Sequence, residues 1–402
     1  MSWGTVSVAE ISSVVTKGTT PTTYGMPFVE SGINFIKAEA LNGYSSLDKN
    51  GFSFISESTH EKLLRSQLQE DDILITIAGA NVGKCGLVRT QYLPANTNQA
   101  VGIIRVRKEL VDPRFVYYSF KQPSIINLCR SIGGQSAQPN INLTNLKAFK
   151  IDLPDLLSQK RIASILSAYD DLIENNRRRI QLLEQAARLL YKEWFVHLRF
   201  PGHEHVKIID GVPEGWKRKV LGDVCFEVRE TVSPATLEPN TPYIGLENMP
   251  RRSITLCEWG QAEQVTSSKH RYREGEILFG KIRPYFHKVG IALTDGVASS
   301  DAIIIRPVSP HLLALVLMTI SSDGFVAVTA QQMKEGSKMP RADWKQMQQY
   351  PVPQPPDGVL RVFNNFIDPI LTQLTALSFS NRKLNTVRDL LLPRLLSGEV
   401  SV

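Results

Sequence analysis

Between Ser158 and roughly Arg199 the chain contains no glycine or proline, and apolar or small residues recur at Leu166, Tyr169, Ile173, Ile180, Leu183, Ala187, Leu190 and Trp194. With Asn176 in the remaining place, steps of three and four alternate over four heptads. That spacing predicts one long helix with a coiled-coil seam. Pro154 upstream and Pro201-Gly202 downstream are suitable stops. A second such pattern runs from about Val359 to Leu396, with Phe363, Ile367, Ile370, Leu374, Leu377, Leu384, Leu391 and Leu395 on the stripe and Asn381 and Arg388 interrupting it. A helix of about forty residues is roughly 60 Å long, more than a domain needs for its own core. The predicted partner of each helix is therefore the other helix, and asparagines in the seam favour one register. Pro369 is expected to kink or divide the second helix.

The segments before each helix alternate in polarity over shorter runs. Asp72 to Ala78, Cys85 to Val88, Val101 to Val106, Glu276 to Phe279 and Ala302 to Arg306 are apolar and bounded by Gly, Asn and Pro, as strands are. Shorter helices are expected over Pro113 to Asn127 and Pro310 to Ser322. Each region reads as an α+β domain of about 150 residues. The two also say nearly the same thing. Asp72-Ile73-Leu74 answers Glu276-Ile277-Leu278, 204 residues on (276 minus 72), and Gly86-Leu87-Val88 answers Gly290-Ile291-Ala292. Ile104-Arg105 then pairs with Ile305-Arg306, Gln138-Pro139 with Met339-Pro340, and Leu153-Pro154 with Val352-Pro353. A period this long is not that of a solenoid, which repeats every ~20–50 residues. It predicts two copies of a domain-plus-helix unit, related by a pseudo-twofold axis.

Composition adds little to that division but narrows the function. The 402 residues are 42% hydrophobic and 21% charged, ordinary for a globular chain. No apolar run reaches the ~18 residues of a membrane span, and the start MSWGTVSVAEIS lacks the basic and apolar regions of a secretion signal, so a cytoplasmic protein is expected. Cys85, Cys129, Cys225 and Cys257 are too scattered for a CxxC motif and read as reduced packing residues. The net charge of +7 and pI near 9.1 lean towards a polyanionic partner. Catalytic motifs are absent. Gly79-Ala80-Asn81-Val82-Gly83-Lys84-Cys85 resembles a phosphate-binding loop but has three residues between its glycines where four are required, Cys85 in place of Ser or Thr, and a strand-like continuation. His203 and His205 are the one close histidine pair and read as incidental rather than zinc-binding. No metal and no cofactor is expected.

Binding of nucleic acid has better material. Lys281, Arg283, Tyr285, His287 and Lys288 place cations among rings, able to contact phosphates and press on bases. Asn81 and Lys84 hold the equivalent place in the first half. Gln135, Ser136, Gln138 and Asn140 lie in a polar, glycine-rich loop whose amides suit adenine, and its counterpart carries Ser337, Lys338 and Arg341, where Lys338 or Arg341 suits guanine. Lys17 to Thr20, with Lys17 and Thr19, is a weaker addition.

The stretch LPDLLSQKRIASILSAYDDLIENNRRRIQLLEQAARLLYKEWFVHLRFPGHE closely resembles the central helical region of the specificity subunits of type I restriction-modification systems, and the ending RDLLLPRLLSGEV is similar to their C-terminal helix. The second helix departs at its start, where DGVLRVFNNFIDPI lacks the QKRIA opening. The resemblance implies two target-recognition domains, at 1–153 and 201–353, each reading half of a bipartite, asymmetric duplex DNA site. Two antiparallel helices, at 154–200 and 354–402, would form a coiled coil that separates them as a ruler. It also implies a chain without catalysis of its own, bound to two modification subunits that methylate adenine and to restriction subunits that translocate and cleave. The helix seams, with Leu166, Tyr169, Ile173, Asn176, Ile180, Leu183, Leu190 and Trp194 on one helix and Phe363, Ile370, Leu377, Asn381, Leu384 and Leu391 on the other, would then also serve as docking surfaces. From the residues alone, a scaffold that joins protein partners and an enzyme with an unfamiliar site remain open.

Overall fold

The computed structural model describes residues 3–41, 47–79, 81–132, 140–332 and 340–402. It forms two compact units, Met1–Asn175 with Lys383–Val402, and Asn176–Arg382. Each long helix is thus shared, half to each unit, because its two halves bury their apolar faces in different cores. In unit 1 Ile162, Ala163 and Leu166 of one helix and Leu392, Leu395 and Leu396 of the other join the core of the domain. In unit 2 the corresponding halves contribute Ala187, Tyr191 and Trp194, and Leu360, Phe363, Ile367, Leu371 and Leu374.

The two units follow one plan. The main sheet of unit 1 has the spatial order Ser12–Lys17, Val101–Val106, Ile73–Thr76, Cys85–Leu87, all antiparallel. That of unit 2 has the same order, Cys225–Val228, Ala302–Pro307, Ile277–Gly280, Val289–Ala292, with Thr255–Leu256 added in parallel at the edge. The inner strands Ile73–Thr76 and Ile277–Gly280 are buried throughout, and Val101–Val106 and Ala302–Pro307 nearly so, so they read as apolar runs rather than as strict alternation. A short antiparallel pair closes each unit: Gly4–Ser7 with Lys150–Leu153, and Lys217–Val220 with Pro351–Gln354. One buried carboxylate recurs at the equivalent place, Asp72 bound to Arg105 in unit 1 and Glu276 bound to Arg306 in unit 2. The expected helix over Pro113 to Asn127 is two, Pro113–Phe120 and Pro123–Ile132, while the one expected over Pro310 to Ser322 is Leu313–Ile320, followed by a further helix, Asp323–Gln331. The break falls where Pro123 disfavours helical backbone at the residue before it. Among the described residues no single helix is long and apolar enough to cross a membrane.

The central helix spans Leu156–Tyr191 and continues as one π-helical turn, Lys192–Val196; the C-terminal helix spans Asp357–Leu396. Within each unit the two run antiparallel, since partners move down one helix as they move up the other. Asp170 meets Arg388 in unit 1, and Asn176 meets Asn381 and Trp194 meets Phe363 in unit 2. Pro369 does not divide the C-terminal helix. It faces solvent together with Asn365, so the carbonyl that loses its N–H partner is open to water.

The seam is close to the heptad reading but wider. Leu166, Ile173, Asn176 and Trp194 are buried, as are Phe363, Leu377 and Asn381. Ile180, Ile370, Leu384 and Leu391 are half-buried. Tyr169, Leu183 and Leu190 are half-buried too, while their neighbours Asp170, Glu184 and Tyr191 are buried fully. Each half-helix packs on the other helix and on its own domain at once, so its buried face spans more than a coiled-coil stripe. The acids survive burial because they are partnered. Asp170 is bound by Arg388 at 2.6 Å, by the Tyr118 hydroxyl at 2.9 Å and by Lys121 at 3.6 Å. Breaking such a buried set is costly, because it strands an uncompensated charge.

Candidate nucleic-acid interface

In both units the described polar candidates converge on one end of the main sheet. In unit 1, Lys17 pairs with Gly102, Gly102 with Ile75, and Ile75 with Cys85. The connection 77–84 therefore turns at the same sheet end where the Ser12–Lys17 strand stops. The Ile77 amide donates to the Ala100 carbonyl, the Ile141 amide donates to Ile77, and Ala78 bridges to Asn140. Unit 2 repeats this pattern. The Lys281 amide donates to Asp301, the Ala342 amide donates to Lys281, Arg283 donates to Pro340, and Ile282 bridges to Arg341. Two segments some sixty residues apart in sequence are thus stitched into one surface, twice.

The turn geometry explains the apparent phosphate-binding loop. Residues 77–84 and 281–288 are hairpin connections of equal length, and each is left-handed at the same two places: Gly79 and Gly83 in unit 1, Arg283 and His287 in unit 2. Glycine adopts positive φ freely, which accounts for the two glycines of the loop. Cys85–Leu87 is a strand, not the helix that a phosphate loop requires. In unit 2 the same backbone holds residues with side chains, a strained choice that persists only where surrounding contacts over-determine it.

Strand register identifies a further equivalent pair. Val228 pairs with Ile304, so Arg229 stands opposite Ile303, which pairs with Phe279. Ile75 and Phe279 are equivalent in the repeat, which makes Arg229 the counterpart of Lys17. Arg229, Lys281 and Arg341 line a cleft of about 340 Å³ together with Glu227, Asp301, Asp343 and Trp344. Arg229 pairs with Glu227 at 2.6 Å and Arg341 with Asp301 at 3.2 Å, while the Lys281 amine donates to the Ser300 carbonyl at 3.0 Å. Burial lowers the Lys281 pKa, as do the nearby Arg229 and Arg341. The equivalent positions of unit 1 hold Lys17, Ile77, Asn140, Ala100 and Asn142. There the sheet end is nearly uncharged, with Lys17 and Asn140 exposed.

The other candidates divide by availability. Arg283 and Tyr285 are exposed, Tyr285 by 52%. Lys288 is half-buried with its amine on the Leu246 carbonyl, and His287 is buried with Nε2–H donating to Ser321, so both serve the loop itself. Asn81 and Lys84 are half-buried. Thr19 is buried and accepts from Arg65 Nη2 at 3.0 Å. Gln135, Ser136, Gln138, Ser337 and Lys338 lie outside the described residues. Sequence reading missed Arg229 and Arg65. Arg229 is identified by strand register, which composition does not reveal. Arg251, visible in sequence only as one of a basic pair, lies over the Phe286 ring at 4.1 Å.

Comparison with known proteins agrees with this architecture. Residues 2–185 match the type I restriction modification DNA specificity domain. The MjaIX specificity subunit of Methanocaldococcus jannaschii is 23% identical across 100% of this chain and 94% of its own length. The EcoDI specificity subunit of Escherichia coli is 24% identical over 61% of this chain and 60% of its own. The crystal structure of the S subunit from M. genitalium shares the fold at a TM-score of 0.60, covering 98% of this chain and 96% of that one at 14% identity. The family match over the first part of the chain and the relatives that span it thus make this chain similar to the specificity subunits of type I restriction-modification systems, with whose solved structure it shares the fold.

Proposed function

We propose that this chain recognises a bipartite, asymmetric duplex DNA site, one half through each unit, and directs adenine methylation and cleavage by partner subunits in the cytoplasm. The observation that carries this reading is the duplicated sheet end: one backbone framework, stitched by the same hydrogen bonds, carrying different polar residues in its two copies. That is what two readers of different sequences require. Residues 1–153 and 201–353 are the two recognition domains, and 154–200 and 354–402 form the spacer on which two modification subunits dock, with restriction subunits joining them. Arg341 and Arg283 in unit 2, and Asn140, Lys17 and the neighbouring loop in unit 1, are the leading DNA contacts.

The test is methylation of a randomised duplex library by the chain co-expressed with its modification subunits, followed by sequencing of methylated positions. A split motif with a fixed gap is expected. Methylation without a split motif would overturn the two-reader reading.

A further inference from the structure

Backbone strain in unit 2 clusters at one place, apart from Leu198 and Asp210. Among the described residues six non-glycine residues have positive φ, and three of them, Arg252, Arg283 and His287, adjoin one another, the Arg252 amide donating to the His287 carbonyl at 2.9 Å. This patch also carries Arg251, lying on Phe286, and the exposed Tyr285. Among the described residues no carboxylate is within ion-pair distance of Arg251 or Arg283, whereas the cleft arginines Arg229 and Arg341 are each neutralised by a neighbour. Two cations without a carboxylate partner among the described residues, beside an exposed ring, suit a polyanion with bases.

What holds this strained patch is the central helix. Glu184, buried at 4% exposure, accepts through Oε1 from Ser253 Oγ at 2.6 Å, the Ile254 amide at 3.0 Å and Thr255 Oγ1 at 3.0 Å. One turn on, Arg188 Nη2 donates to the carbonyl of the left-handed Arg252 at 2.7 Å and stands 3.7 Å from Glu184. A buried carboxylate with three donors and a cation fixes the segment 252–255 against the helix from both ends.

Resting on the DNA reading proposed above, we infer that Glu184 and Arg188 are positioning residues which hold the Arg251–Arg283 surface in its DNA-contacting conformation. The spacer helix thereby props the reader directly, and Arg251 is a further DNA contact. A shift of this helix on partner docking would be transmitted to one reader without passing through the core of the domain.

The test uses the intact chain co-expressed with its modification subunits, bound to its own site and to duplexes with either half scrambled, over a series of salt concentrations. Arg251→Ala and Arg283→Ala should each reduce the slope of log K against log salt by about one. Glu184→Ala and Arg188→Ala should lower discrimination at the half read by unit 2 by roughly tenfold, with the other half unchanged. In an Arg252→Gly background the loss from Glu184→Ala should shrink, because glycine adopts the left-handed backbone without being held there. Full discrimination in Glu184→Ala, or an equal loss in both backgrounds, would overturn the positioning role. Salt slopes and discrimination untouched by Arg251→Ala and Arg283→Ala would instead remove this surface from the DNA reading itself.

Discussion

The two sheet ends are built alike and charged differently. In unit 2 Arg229, Lys281 and Arg341 face Glu227, Asp301 and Asp343 across a cleft, while the same places in unit 1 offer one exposed lysine and two amides. Yet the strand order, the bridge from hairpin loop to polar loop, the two left-handed positions and the buried carboxylate–arginine pair are common to both. The framework is fixed by backbone hydrogen bonds and apolar burial, which tolerate any side chain that points out of the sheet end. Under the proposed two-reader function, specificity could therefore differ between the two copies without disturbing the fold, because the polar residues at the sheet end contribute little to the stability of the framework.

The same contrast extends to the helices. Unit 1 fastens them with Asp170, Arg388, Lys121 and Tyr118, and unit 2 with Glu184 against segment 253–255. Arg388→Ala leaves Asp170 buried without its closest cation and should destabilise the chain by about 3–5 kcal/mol. Denaturant unfolding followed by a probe in each unit should show unit 1 losing more than unit 2.

Gly18→Ala breaks the symmetry next. An added Cβ would sit 2.2 Å from the Thr97 carbonyl oxygen, so a loss of about 1–3 kcal/mol is expected in thermal unfolding. Glu230, the following residue after the counterpart of Lys17, should accept alanine within roughly 0.5 kcal/mol.

At the reading surface, Arg341→Ala should cost about 1–3 kcal/mol of discrimination at one base position of a single half-site, measured by competition between single-base variants. Asn140→Ala should do the same in the other half; equal loss in both halves from either substitution would end the comparison. A small stability change is also expected for Arg283→Gly, which exchanges a strained residue for one suited to the backbone. Stability should stay within about 1 kcal/mol, while binding of the half read by unit 2 falls. A gain or no change in binding would mean that the strain serves the loop and not the ligand.

Much of this was legible in the sequence. The long helices, the inner strands Val101–Val106 and Ile277–Gly280, and the repeat itself follow from apolar periodicity, because burial constrains every third or fourth residue of a helix and whole runs of an inner strand. Asn176 and Asn381 stood out as polar interruptions, and they meet as an amide pair at 3.0 Å. What periodicity did not reveal was which acid lies under which domain. Asp170 and Glu184 look solvent-facing in a heptad, and only the packing of each half-helix on a domain as well as on its partner buries them. Nor did it reveal Arg229 as the counterpart of Lys17, since strand register is set by pairing across the sheet and not by spacing along the chain. Sequence alone determined the elements and their duplication, since local pattern and burial decide those. Tertiary structure decided which loops share a surface, because residues far apart in sequence become neighbours only when hydrogen bonds between strands bring them there.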